Sequence, residues 1–376
     1  RGIKAICVNS GMSYREIDNA LDNVRYGDYK FLYVSPERLQ TKIFIERFKL
    51  MKIGFIVVDE AHCISQWGHD FRPSYKQINQ LRHIKPNIPM AAFTATATKH
   101  TKEDIIKELE LISPEIHEAS FVRENIAYRI FKSEAKKRRI IEFCTTLPQS
   151  TGIIYCQTRK SVKEVSQLLN SEKISCASYH GGMNREEREK AMNSWMDESS
   201  KIMVATNAFG MGIDIPNIRL IVNYGISKDM ESFYQEIGRA GRDGLEADTL
   251  LIFGLQDLFQ RKRFIDMSDA HDSFKIKEHK RLDSLMAYCD SATCRRQTLL
   301  SYFRENCDPC GKCDNCLNPS QMIEGTEYAQ MVLSAIYRTG QYFGSMHIVD
   351  VLRGVENNKV IAKGHNRIKT FGVGRT

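Results

Sequence analysis

Short apolar runs of four to six residues recur through the first 260 positions: Phe31–Val34, Ile53–Val58, Met90–Phe93, Gly152–Cys156, Ile202–Ala205, Leu220–Tyr224 and Thr249–Phe253. They are too short for helices and too continuously apolar for strands with one wet face, so they read as strands of parallel sheets covered on both sides. Helical patterns stand between them. One is Thr101–Leu111, where Thr101 and Asp104 are spaced like a capping box, and another is Asn184–Trp195, opened by Asn184 with Glu187 three residues on. Strand and helix signals that alternate in this way place the chain in the α/β class. Arg1 to Val8 reads as the start of a further buried strand, and no signal peptide is recognised there.

At 376 residues the chain exceeds one ordinary core. The basic stretch from Lys132 to Arg139 divides two strand-helix series, which sets a first lobe at 1–132 and a second at 133–262. Strand signals stop after Phe253, and Phe274–Tyr288 reads as a helix leading into a cysteine cluster, giving a third domain at 263–320. Residues 321–376 carry two further helical patterns, Tyr328–Arg338 and Ser345–Leu352, among basic positions. No run reaches the ~18 apolar residues of a membrane span, and the net charge of +8 suits a nucleic-acid partner.

The run Ile53–Val58 ends abruptly in Asp59-Glu60-Ala61-His62. A buried parallel strand delivers its succeeding residues to the carboxyl edge of the sheet, where open α/β folds bind ligands. Two adjacent acids at that edge can divide the work of nucleotide hydrolysis, Asp59 holding magnesium and Glu60 orienting the attacking water. Downstream, Trp67 and Phe71 offer flat faces to unpaired bases, and His69 and Arg72 can meet phosphate. Of the 11 cysteines, six fall between Cys289 and Cys316, a clustering that points to metal more than to disulfides. Cys294 with Cys310, Cys313 and Cys316 can wrap a tetrahedral zinc ion, and so can Cys307 with the last three.

The segment Asp59-Glu60-Ala61-His62 resembles motif II of the DEAH-type superfamily 2 helicases, and its continuation, Cys63 to Pro73, is similar to the aromatic-rich loop of the RecQ helicases. Phe93-Thr94-Ala95-Thr96-Ala97 resembles motif III, Val34 to Leu39 motif Ib, Ile153 to Arg159 motif IV, Val204 to Asp214 motif V and Tyr234 to Asp243 motif VI. The resemblance implies two RecA-like parallel-sheet lobes, the first incomplete, then a helical zinc-binding domain and the start of a winged-helix domain. It implies Asp59, Glu60, His62, Gln235, Arg239 and Arg242 as catalytic, with Arg242 as arginine finger. Asp59, Gly212, Asp214, Arg239 and Arg242 are then the contacts to ATP and Mg2+. Ser35, Arg38, Ser65, Gln66, Trp67, His69, Phe71, Arg72, Arg159 and Thr206 are the implied DNA contacts. The family pattern selects Cys294, Cys310, Cys313 and Cys316 for zinc.

The family's motor also needs a Gly-Lys-Ser/Thr phosphate loop, and the only Gly-Lys pair is Gly311-Lys312, followed by Cys313. The resemblance therefore implies a loop upstream of residue 1. The expected function is that of an ATP-dependent 3′–5′ DNA helicase in repair and recombination, acting on single strands and duplex junctions in the bacterial cytoplasm or, in a eukaryote, the nucleus. The alternative is a non-enzymatic, zinc-dependent DNA-binding segment. An RNA-directed motor is disfavoured by the Trp67 loop and the zinc cysteines.

Overall fold

Among the described residues every strand pairing is parallel, in keeping with the continuous apolar runs. The structure is a computed structural model and describes residues 2–9, 11–65, 71–146, 150–207, 209–210, 213 and 215–375. It divides into two units, Arg1–Asn318 and Pro319–Thr376. Among the described residues no helix is long and apolar enough to cross a membrane.

The first unit opens with β1 (Ala5–Val8), β2 (Phe31–Val34), β3 (Ile56–Val58) and β4 (Met90–Ala92), which form two separate pairs, β1 with β2 and β3 with β4. Helices Tyr14–Tyr26 and Lys42–Leu50 help bury one face, bringing Leu21, Phe44, Phe48 and Val58 into a common core. The other face differs from expectation. Val57 is 55% exposed and Phe31 and Tyr33 are 52% and 60% exposed, so among the described residues these strands are covered on one side only. Their alternation follows from the two-residue period of a strand.

The next six strands are β5 (Ile126–Lys132), β6 (Gly152–Cys156), β7 (Cys176–Tyr179), β8 (Ile202–Ala205), β9 (Leu220–Tyr224) and β10 (Ala247–Phe253). They make one sheet in the order β5-β10-β9-β6-β8-β7, and β6, β8 and β9 are buried along their whole length. Strand β5 precedes the basic stretch at Lys132 yet pairs with β10, so the second sheet begins near Ile126. Neither β5 nor β7 carries a continuous apolar run, because both lie at sheet edges.

Helix Arg185–Met196 starts as expected, with Asn184 accepting from the Glu187 amide at 2.8 Å and the Glu187 carboxylate accepting from the Asn184 amide at 2.8 Å. Helix Lys99–Glu108 does not start at Thr101: its cap is Thr98, whose side chain accepts from the Thr101 amide. Helices Asp272–Asp290 and Arg295–Tyr302 follow the sheet and lead to the cysteine loop. The second unit contains helices Thr326–Arg338, Ser345–Arg353 and Asn358–Ala362.

Gly152 opens β6 at a closely packed position. A methyl group there would meet the Leu220 side chain at 2.9 Å and its carbonyl oxygen at 3.0 Å, while the Gly152 carbonyl accepts from the buried Trp195 indole at 3.2 Å. Gly152→Ala is therefore expected to cost about 1–3 kcal/mol through overpacking. A guanidinium midpoint unchanged from the parent chain would contradict this.

Candidate nucleotide, nucleic-acid and metal sites

The parallel pairing of β3 with β4 puts the first cluster together. Phe93 at the end of β4 donates its amide to the Val58 carbonyl at 2.8 Å and accepts from the Ala61 amide at 2.9 Å, so the loop after β3 and the loop after β4 leave the sheet side by side. Asp59 caps its own turn, accepting from the Glu60 amide at 2.8 Å, and Glu60 takes a left-handed conformation at φ 49 that reverses the chain. The buried His62 ring comes next. Its Nδ1 lies 3.0 Å from Thr94 Oγ1 and 3.3 Å from Glu60 Oε2. Thr94 Oγ1 in turn donates to the Thr96 carbonyl at 3.1 Å.

The chain of contacts then leaves the first lobe. Gln235 Nε2 donates to Thr96 Oγ1 at 3.3 Å, from helix Met230–Ile237 at the edge of the second sheet. Glu60, His62 and Gln235 thus fall along one polar path, which Asp59 adjoins through the Glu60 amide. Arg239 and Arg242 are gathered elsewhere, on the backbone after β8. Arg239 donates to the Gly210 carbonyl, and Arg242 donates to that of Ile213 at 3.1 Å. Gly210 has φ +145, and a side chain there would strike the Arg239 guanidinium at 2.9 Å.

The expected nucleic-acid contacts that are described sit on several elements. Ser35 begins a 3-10 turn, Pro36–Gln40, and Arg38 donates to the Asn9 carbonyl at 3.2 Å. Lys76 stands 5.9 Å over the Phe71 ring, and Arg72 leads into the turn Pro73–Asn79. Arg159 is exposed, its guanidinium lying against Gly182. Ser65 is 1% exposed and donates to Asp104 on helix Lys99–Glu108, so its hydroxyl is engaged within the first lobe. Gln66, Trp67, His69, Gly212 and Asp214 lie outside the described residues.

Thr206 lines a cavity of about 180 Å³ at the carboxyl edge of the second sheet, with Gln157, Asn223, Lys228 and Glu236. Glu236 is a residue that sequence reasoning misses. Burial pushes its carboxyl up to about 7, against hydrogen bonds from Ser227 at 2.7 Å and Asn223 at 2.5 Å. Its partners come from β9 and the loop after it, so no local spacing announces them.

The four cysteines chosen from the family pattern converge: the sulfurs of Cys294, Cys310, Cys313 and Cys316 all lie within 4.8 Å of one another. Backbone amides point at them, Cys310 to Cys294 at 3.2 Å, Cys313 to Cys310 at 3.3 Å and Arg295 to Cys313 at 3.4 Å. Amide donors of this kind stabilise thiolates, and four thiolates at this spacing suit a tetrahedral zinc ion with no open position. The loop is anchored by Arg295, which is 6% exposed. Its guanidinium makes a two-point pair with Asp314 at 2.9 and 3.1 Å and also donates to the Tyr288 carbonyl at 2.9 Å. Asp314 also accepts from the Ile130 amide of β5 at 3.1 Å, which joins the cysteine loop to the sheet edge. Native mass spectrometry is expected to find one zinc per chain, retained in Cys307→Ser and lost in Cys294→Ala. One tightly held zinc in Cys294→Ala would instead assign the fourth ligand to Cys307.

Comparison with known proteins agrees with this layout. Four family descriptions match in chain order: DEAD/DEAH box helicase over residues 1–105, helicase conserved C-terminal domain over 135–244, RecQ zinc-binding over 255–317 and RQC domain over 319–376. The ATP-dependent DNA helicase RecQ of Haemophilus influenzae is 37% identical over 100% of this chain and 60% of its own length. The protein of the same name from Bacillus subtilis is 39% identical over 99% of this chain and 63% of its own. The chain thus spans about three-fifths of the length of these relatives. A solved structure of S. cerevisiae Dbp5 bound to RNA and ADP BeF3 matches with a TM-score of 0.52 at 20% identity, covering 75% of this chain and 73% of that one, which speaks for the fold alone. With its motor motifs, its four-cysteine loop and these matches all in the same order, the chain belongs to the RecQ family of helicases.

Proposed function

We propose that the protein carrying this chain is an ATP-dependent DNA helicase that moves 3′ to 5′ and acts in DNA repair and recombination, in the bacterial cytoplasm on the nucleoid or in a eukaryotic nucleus. The observation that carries the reading is the polar path Glu60–His62–Thr94–Thr96–Gln235, which connects acids suited to hydrolysis with the helix preceding Arg239 and Arg242. A motor needs such a link, because a change at the nucleotide must be felt by both lobes.

In this reading Asp59 holds Mg2+ and Glu60 aligns the attacking water. His62 fixes the Glu60 carboxylate against motif III, so the acid keeps one orientation. Arg239 and Arg242 supply positive charge to the phosphates, for which planar guanidinium is suited. Gly212 and Asp214 complete the nucleotide contacts. Ser35, Arg38, Arg159 and Thr206 hold the DNA backbone, Trp67 and Phe71 serve to stack on bases, and Gln66, His69 and Arg72 serve as further DNA contacts. The cysteine loop holds zinc structurally, and basic residues after Pro319 add duplex affinity.

The 376-residue chain, which contains no Gly-Lys-Ser/Thr loop, is expected to bind single-stranded DNA while turning over ATP hardly above background. Fluorescence anisotropy between 50 and 200 mM salt should show DNA affinity falling by roughly tenfold or more. DNA-stimulated phosphate release at an ordinary rate of about 10 per second would sink the claim that hydrolysis needs the absent loop. Salt-insensitive binding, or equal unwinding of matched RNA and DNA duplexes by the full-length protein, would count against a DNA motor.

A further inference from the structure

The segment entering β5 is packed against the helix and loop that carry Gln235, Arg239 and Arg242. Phe121 stacks on Phe303 at 4.4 Å between ring centres and meets the edge of Tyr234 at 5.5 Å, and its carbonyl accepts from the Tyr234 hydroxyl at 3.0 Å. Two residues on, the Arg123 guanidinium donates to three carbonyls: Gly238 at 3.1 Å, Ala240 at 2.7 Å and Gly241 at 3.0 Å. Asn125 Nδ2 adds bonds to Gly241 at 2.7 Å and Leu245 at 2.8 Å.

These carbonyls come just after helix Met230–Ile237, where the intrahelical ladder has run out and the C-terminal oxygens need other donors. A planar guanidinium with several fixed N–H groups can satisfy more than one of them at once. Gly241 has φ +52, and a side chain there would collide with Asn125, so the turn is shaped around the clamp. The gripped carbonyls flank Arg239 and directly precede Arg242. Those two side chains are then pinned at their far ends, on Gly210 and Ile213.

We propose that Arg123, supported by Asn125, is a positioning residue: it holds the 238–245 turn so that Arg239 and Arg242 are presented together to the nucleotide phosphates. The inference rests on the functional reading above. It also gives the segment between the lobes a task beyond connection, since movement of 121–125 would be transmitted to both arginines.

In the full-length protein, Arg123→Ala is expected to lower kcat for DNA-stimulated ATP hydrolysis by about tenfold or more, because a small misplacement of a transition-state group is costly. KM for ATP and the affinity for DNA should stay within about twofold, the pattern for an interaction used in the transition state. Arg123→Lys should recover part of kcat, since an ammonium can reach one carbonyl but not all three. An unchanged kcat in Arg123→Ala overturns the proposal, and so does a loss that tracks reduced zinc content or melting temperature in both variants. A wild-type protein that does not hydrolyse ATP in response to DNA defeats the functional reading instead. The clamp is then decided in the 376-residue chain by hydrogen exchange. The Gly241, Asp243 and Gly244 amides, which bond to the carbonyls of Ile218, Pro216 and Gly241, should exchange about tenfold faster in Arg123→Ala while β6 and β9 are unaffected. Unchanged exchange at those three amides overturns it.

Discussion

The hydrogen bond from Gln235 to Thr96 joins two sheets that are built independently, and the coupling proposed for the motor depends on it. A single amide-to-hydroxyl bond of this kind contributes only about 1 kcal/mol net. That is weak enough to be made and broken during a cycle of opening and closing. Each end is tied into its own lobe by several bonds. On one side Thr96 is held through Thr94 to the buried His62 ring, and on the other Gln235 belongs to a helix whose following turn is held by Arg123 and Asn125. A weak link between two stiff supports is the arrangement expected of a switchable contact.

The cysteine loop extends the same logic to the far edge of the second sheet. Asp314 is shared between Arg295 and the Ile130 amide, so the edge strand β5 finds a hydrogen-bond acceptor in the metal-binding module. Glu305, from the segment before that loop, accepts from the Phe121 amide at 2.8 Å. The module therefore touches both the strand β5 and the segment that clamps the arginine turn. Loss of metal would loosen a loop on which these contacts rely.

Much of this is legible in the sequence where the signal is local. Continuous apolar runs predict β2, β6, β8 and β9 with their observed limits; in β6, β8 and β9 the reason is that a strand buried on both faces has no polar position to spare, whereas β2 is apolar even at its exposed Phe31 and Tyr33. The Asn184–Glu187 box is equally local, whereas the cysteine spacing leaves Cys307 as an alternative to Cys294, and only the resemblance to the family pattern chooses between them. Where long-range pairing decides, the reading stops. Strand β7, Cys176-Ala177-Ser178-Tyr179, and strand β5, interrupted by Arg129, sit at sheet edges where polar side chains cost little. Thr101 with Asp104 has the capping-box spacing, but the folded backbone puts the cap at Thr98, whose third residue on is Thr101 and so carries no acid to announce it. Ser65, Glu236 and Arg123 escape a local reading for one reason: their partners, Asp104, Asn223 and the carbonyls after Ile237, stand 39, 13 and at least 115 residues away.

The central claim is that Thr96 and Gln235 act as one coupling element between the lobes, and a double-mutant cycle on ATP turnover by the full-length protein tests it directly. Thr96→Val and Gln235→Ala should each lower kcat, and the double variant should be no slower than the slower single one, as for two halves of one interaction. Rate losses that multiply in the double variant would show that the two residues act separately and would contradict the account.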